Sequence, residues 1–316
     1  MLKVRNLNIK IENDKRIIYP VRDVSFSIDK GEIIAIIGES GCGKSQTAMA
    51  INQLNRMDGF TITGTIEYKD IENIITLKEK PLNKIRGSEI ADIDQDPMEA
   101  LNPSLKIGYQ IKDVLLQHGN CKRREAKALV EAYLKKVGIS DIKRVYKAYP
   151  HQLSGGMQQR VSIAMALISE PSLVIADEPT TALDVEMERK ILELLIGLQK
   201  EMALGVLMIS HDLSVVKNFA HKIVVMYGGE IVETYNNLID DYKHPYTKAL
   251  VKCMPIIEKP VDQLKAIPGQ VFDLSKQVSA CHFYDRCTEK LPICLEKHPE
   301  IKVLKSGQEV RCFLYD

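Results

Sequence analysis

An α/β fold on a mixed, largely parallel sheet is what this sequence predicts, and three observations predict it. Strand-like and helix-like segments alternate over the first 235 residues, the pattern of a sheet covered by helices. Residues 32–37, 172–176 and 206–209 are short apolar runs that stop at Gly38, Asp177 and Ser210-His211. Such runs suit fully buried central strands. Residues 222–227 and 230–235 flank Gly228-Gly229, a two-residue hairpin signal that makes part of the sheet antiparallel. Ligands of open α/β sheets sit beyond the carboxyl ends of the strands, so the three polar strand ends are expected to converge on one site.

The other elements follow in chain order. Residues 46–54 read as a helix opening directly after a glycine-rich loop. Between residues 97 and 149 strand signals vanish and helical periodicity takes over, with Ala128, Leu129, Ala132, Tyr133 and Val137 expected on one core-facing stripe. From about residue 240 the prolines Pro245, Pro255, Pro260 and Pro268 punctuate the chain and periodicity fades. The expected organisation is therefore a domain over residues 1–239, with a helical subdomain over about 97–170, and an irregular cysteine-bearing extension over 240–316.

Composition narrows the function. Forty-three basic against forty-two acidic residues leave a formal net charge of +1, so bulk electrostatics do not attract the chain to nucleic acid or anionic lipid. The longest apolar run, residues 163–168, is six residues, far short of the roughly 20 that cross a bilayer. Asn6, Asn8, Glu12 and Asn13 stand where a secretory signal would be apolar, which predicts a cytosolic chain. Four of its seven cysteines, Cys281, Cys287, Cys294 and Cys312, crowd into the last 36 residues. In a reducing compartment such a group is either metal-bound or simply thiol.

The strongest chemical signal is Gly38-Glu39-Ser40-Gly41-Cys42-Gly43-Lys44-Ser45, which fits G-x-x-x-x-G-K-[ST] between a strand and a helix. Glycines let the loop curl so that backbone N–H groups face a phosphate, and the helix adds the positive end of its dipole. Lys44 supplies a cation, Ser45 a hard oxygen for Mg2+, and Gln46 follows at the helix start. Asp177 and Glu178 end a second buried strand, where the first suits the metal and the second the polarisation of an attacking water. His211 closes the third strand as a candidate γ-phosphate contact.

With these parts in place, Leu153-Ser154-Gly155-Gly156-Met157-Gln158 resembles the signature of ABC ATPases. Gln95 then falls in the family's Q-loop, Asp184 in the D-loop segment Ala182-Leu183-Asp184, and His211 at the switch histidine. The resemblance implies a P-loop NTPase with an ABC-type nucleotide-binding domain that binds ATP and Mg2+, the ion held by Ser45, Gln95 and Asp177, with Glu178, His211 and Gln95 catalytic. It implies a dimer in which the 38–46 loop of one subunit and Ser154, Gly155, Gly156, Gln158 and Asp184 of the other enclose ATP. The adenine-stacking position falls near Asp14 or Lys15, and Tyr19 is the nearest aromatic. The chain departs from the family in reading Asp94 where a hydrophobic residue commonly precedes the Q-loop glutamine.

A narrower resemblance rests on Gln95-Asp96-Pro97-Met98, Leu101-Asn102-Pro103, His244-Pro245-Tyr246-Thr247 with Leu250, and Ile267-Pro268-Gly269. It is to the ATPase subunits of oligopeptide, dipeptide and nickel importers. That resemblance implies a peptide importer ATPase on the cytoplasmic face of the cell membrane, with a second related ATPase as heterodimer partner, two membrane permease subunits and an extracytoplasmic binding protein, and no nucleic acid. A nickel or metal-chelate importer and a soluble non-transport ABC ATPase are the alternatives. The spacing C-x5-C-x6-C-x17-C fits structural zinc poorly. A [4Fe–4S] cluster on Cys281, Cys287, Cys294 and Cys312 is the expectation, with zinc and free thiols as the other readings.

Overall fold

The computed structural model describes residues 1–13, 16–118, 121–181, 183–236, 241–253 and 266–316. They fall into two compact units, one of residues 1–28, 33–76 and 209–316, the other of residues 29–32 and 77–208.

In the first unit, β1 (Leu2–Asn13), β2 (Arg16–Ile28), β3 (Ile33–Ile37), α1 (Lys44–Ile51) and β4 (Phe60–Tyr68) come first. Strands β2, β1 and β4 form an antiparallel sheet in that order. Leu2, Val4, Leu7 and Ile9 of β1 are buried, so the alternation slips by one residue between Val4 and Leu7. Asn6 takes the slip with a φ of 47°, and its side chain donates to Asp23 Oδ1 at 2.7 Å, at a second left-handed residue on the facing strand. Bulges of this kind keep the apolar set on one face despite an inserted residue.

Strand β3 is Ile-Ile-Ala-Ile-Ile, buried throughout, as the apolar run predicts for a strand covered on both faces. The second unit supplies α2 (Glu79–Leu82), β5 (Ile90–Ile93), α3 (Pro97–Ala100), α4 (Ile107–His118), α5 (Ala126–Lys136), α6 (Ile142–Lys147), α7 (Gly155–Leu167), β6 (Leu173–Asp177) and α8 (Val185–Met202). Within it β5 and β6 are parallel, with Ile90 opposite Leu173 and Ile93 opposite Ala176. Strand β7 (Gly205–Ser210) has residues in both units.

The first unit resumes with α9 (Leu213–Val216), β8 (Lys222–Tyr227), β9 (Glu230–Asn236), α10 (Pro245–Lys252), α11 (Ile293–Glu296), β10 (Lys302–Val303) and β11 (Glu309–Val310). Strand β8 lies parallel to β3 and antiparallel to β9. Gly228 and Gly229 join β8 to β9 with φ of 58° and 86°, the two positive values that a type I′ hairpin requires.

Two expectations change. The predicted stripe on the helical insertion is displaced: Tyr133 and Val137 are buried, but Ala128, Leu129 and Ala132 are exposed, and Ala126, Val130 and Leu134 complete the core face of α5. Ala126, Val130, Tyr133, Leu134 and Val137 follow the 3.6-residue period, whereas small alanines gave the neighbouring face a false apolar weight. The extension also has more order than its prolines suggest, since β11 pairs with β9, placing Glu309 opposite Thr234.

Candidate functional site

The Gly38–Ser45 loop leaves β3 and enters α1 through two glycines that no other residue can replace. A Cβ on Gly38 (φ 156°) would lie 2.3 Å from the Met226 carbonyl oxygen, and one on Gly43 (φ 106°) 2.0 Å from that of Pro20. Gly43 caps α1 with no side-chain acceptor, which leaves the N–H groups of the first turn and its dipole for a bound anion. Lys44 is buried, its Nζ donating to the carbonyls of Gly38 at 2.8 Å and Glu39 at 3.2 Å. Cys42 is buried beneath the loop, and burial pushes its thiol pKa up. Ser40 and Gly41 are exposed, while Ser45 and Gln46 are half-buried on the first turn.

Tyr19 sits on β2 with the Arg22 guanidinium 4.9 Å from its ring centroid, so one ring face is already occupied by a cation. Asp14, Lys15 and Ala182 lie outside the described residues. His211 is exposed immediately after β7.

The remaining sequence-derived residues lie in the second unit. Asp177 ends β6, and Glu178 follows with a φ of 45° and accepts from Thr181 Oγ1 at 3.0 Å. Left-handed backbone at a non-glycine residue is costly, by about 1–3 kcal/mol, and recurs where a side chain must be aimed. Asp184 caps α8 by accepting from Met187 N at 2.9 Å. Exposed Ser154 precedes α7 and makes no capping bond, and Gly155 is exposed beside it. A Cβ on Gly156 would meet Met187 Sδ at 2.7 Å. Gln158 is different: buried, it donates to the Pro150 carbonyl at 2.8 Å and that of Leu153 at 3.3 Å. Its side chain holds the turn ahead of Ser154. Gln95 is exposed just after β5, and the next residue, Asp96, caps α3 through Met98 N at 2.7 Å.

Sequence reasoning missed the grip on Glu39. Arg286 forks onto both Glu39 carboxylate oxygens, Nη1 to Oε2 at 2.6 Å and Nη2 to Oε1 at 2.9 Å, and Tyr246 Oη accepts from Glu39 N at 2.9 Å. The hydrogen bonds to Glu39 raise the pKa of the buried Arg286 further above its ordinary value. Tyr246, Tyr227 and Phe283 pack ring on ring beside it, with centroids 4.6–5.4 Å apart. The His244-Pro245-Tyr246-Thr247 segment marked this region in the sequence, but nothing local to Arg286 pointed 247 residues back.

A family profile described as ABC transporter matches residues 21–181. The chain belongs to the ABC transporter family. A second profile, oligopeptide/dipeptide transporter C-terminal region, matches residues 230–294. This ABC cassette is 42% identical over 319 residues to the oligopeptide transport ATP-binding protein AppD of Bacillus subtilis (strain 168), covering 100% of this chain and 97% of the relative. It is 40% identical over 319 residues to the dipeptide transport ATP-binding protein DppD of the same organism, covering 100% and 95%. Among solved structures it is similar to the dimeric post-hydrolysis state of the ATP-binding cassette MJ0796 bound to ADP and Pi, with a TM-score of 0.66 and 31% identity over 75% of this chain and 99% of that one.

These matches correct the iron–sulfur expectation. The matched family is that of ordinary ABC ATPases, and the relatives are described by ATP binding and peptide transport, with no iron–sulfur centre. Cys281, Cys287, Cys294 and Cys312 do line one small pocket with Phe283, Pro245 and Pro299. Burial there pushes Cys281 up to about 12 and Cys312 up to about 11. Crowding in sequence was a poor guide to an iron–sulfur centre.

Proposed function

We propose that this ABC ATPase is the ATP-hydrolysing subunit that powers peptide import across the cytoplasmic membrane. The observation that carries the proposal is the full-length similarity to peptide transport ATP-binding proteins, which includes the region beyond the cassette. Among the described residues no helix is long and apolar enough to cross a membrane, so translocation would be done by permease partners. In this proposal residues 1–239 form the cassette and 240–316 the importer-type extension. The chain works at the cytoplasmic face, paired with a second related ATPase, two membrane subunits and an extracytoplasmic binding protein.

The roles assigned in the proposal follow from chemistry. The N–H groups of the loop and of the α1 turn bind the β- and γ-phosphates, and Lys44 turns its ammonium from the loop carbonyls onto them. Ser45, Asp177 and Gln95 are hard oxygen donors that fit Mg2+, which when bound neutralises charge on the phosphates. Glu178 takes the proton of the attacking water, and His211 and Gln95 orient the reacting end. The exposed Ser154 and Gly155 N–H groups at the start of α7, with Gly156 and Asp184, close the partner's nucleotide site. Gln158 supports that turn from beneath.

The test is reconstitution with candidate permease subunits in vesicles, with ATPase activity measured as peptide-loaded or nickel-loaded binding protein is added. Peptide-stimulated turnover that disappears with Lys44→Ala supports the proposal. Stimulation by nickel alone, or turnover indifferent to the permease, would transfer it to the metal importer or the soluble ATPase.

A further inference from the structure

Outside the nucleotide site, Glu230, His282 and His298 each offer one ligand atom within 4.8 Å of the other two. Glu230 and His282 are buried, and His298 is partly open to solvent. The residues come from three separate stretches: Glu230 opens β9 directly after the hairpin glycines, and the two histidines belong to the extension. His282 Nδ1 lies 3.3 Å from Glu230 Oε1, and His298 Nε2 lies 2.9 Å from Glu230 Oε2. The two contacts reach different oxygens of the one carboxylate, which thus bridges both rings.

We propose that Glu230, His282 and His298 form a binding site for one divalent transition-metal ion of the Zn2+ class, which ties the extension to the β8–β9 hairpin. One carboxylate and two imidazoles are a borderline N/O set, suited to Zn2+ and to Co2+ as its spectroscopic substitute. Gly228 O, 3.2 Å from His282 Nδ1, adds an oxygen of the hard type at the same corner. A single N–H on Nδ1 cannot serve both Gly228 O and Glu230 Oε1 at full strength, whereas a cation satisfies nitrogen and carboxylate together. Phe272 stacks on the His282 ring at 4.0 Å between centroids, fixing the orientation that a ligand needs.

The test uses the full-length, nucleotide-free chain after chelator treatment, titrated calorimetrically with Zn2+ and spectroscopically with Co2+. The expected result is one equivalent bound with nitrogen/oxygen-type visible bands. His298→Ala should weaken that binding at least about tenfold, since even outer-shell partners of metal ligands are worth about 10- to 100-fold. Cys281→Ser should leave it unchanged. If His298→Ala does not fold, His298→Gln keeps the polar reach and carries the comparison. Absence of binding, binding unaffected by the His298 variants, or sulfur-to-cobalt charge-transfer bands lost with Cys281→Ser would each overturn the proposal.

Discussion

At Glu178 one residue carries two signals, a left-handed backbone (φ 45°) and an anchoring hydroxyl from Thr181. Both fix where the carboxylate points. Glutamine keeps the shape and the hydrogen-bond acceptor but cannot take a proton, so Glu178→Gln is expected to keep ATP affinity and to lose about 10²- to 10⁴-fold in turnover. Equilibrium ATP binding beside steady-state phosphate release checks this, and near-normal release would remove Glu178 from the chemistry. Gly43 makes a complementary case, because its failure would be steric. A methyl 2.0 Å from the Pro20 carbonyl oxygen cannot be accommodated without moving backbone, so Gly43→Ala should lose nucleotide binding together with thermal stability.

Helix α10 shows how an element can depend on one titratable cap. His244 is fully buried, its Nδ1 accepts from Tyr246 N at 3.1 Å, and its ring also bonds the Arg311 backbone. Burial pushes its pKa down to about 3, so the folded ring stays neutral while an unfolded one protonates below about 6.5. The stabilisation is complete above the unfolded value and is lost as pH falls toward the folded one, by about 1.4 kcal/mol per pH unit. Between pH 6.5 and pH 5 that amounts to about 2 kcal/mol. Asn also caps helices and does not titrate, so His244→Asn should flatten the pH dependence of the urea midpoint over this range. Equal slopes for the two proteins would refute the assignment. Elements of this kind differ in how far the sequence reveals them. Strands β3, β6 and β7 were legible because each is a dense apolar run ending at a glycine or polar residue, and β8 and β9 because they flank the hairpin pair Gly228-Gly229. Strand β1 was not, since the bulge at Asn6 breaks the period of two on which strand recognition rests. The turn between β3 and α1 was legible at Gly38 and Gly43, because its geometry demands glycine at those positions.

Across the whole molecule the extension does more than follow the cassette. It contributes β11 to the edge of β9 and drives Arg286 onto Glu39, in the loop between β3 and α1. No local pattern encodes a pair 247 residues apart, which is why the sequence left the tail as an appendage. Arg286 also donates to the Pro268 and Ile267 carbonyls at 3.1 Å each, so one side chain joins the loop, the Ile267-Pro268 segment and the aromatic cluster. Lysine offers a point charge where this site uses a planar fork. Arg286→Lys is therefore expected to raise the KM for ATP several-fold by loosening Glu39, with a smaller change in kcat, and to lower stability because the Ile267 and Pro268 carbonyls lose their donors. Glu39→Gln should weaken the same loop through the other half of the fork. Residues acting as one contact do not add, so the double variant should fall short of the summed single effects by about 1–3 kcal/mol. Urea unfolding and ATP titration of the four proteins measure that coupling. Strict additivity in both would mean that the fork only packs the extension and leaves the nucleotide loop to hold its own shape.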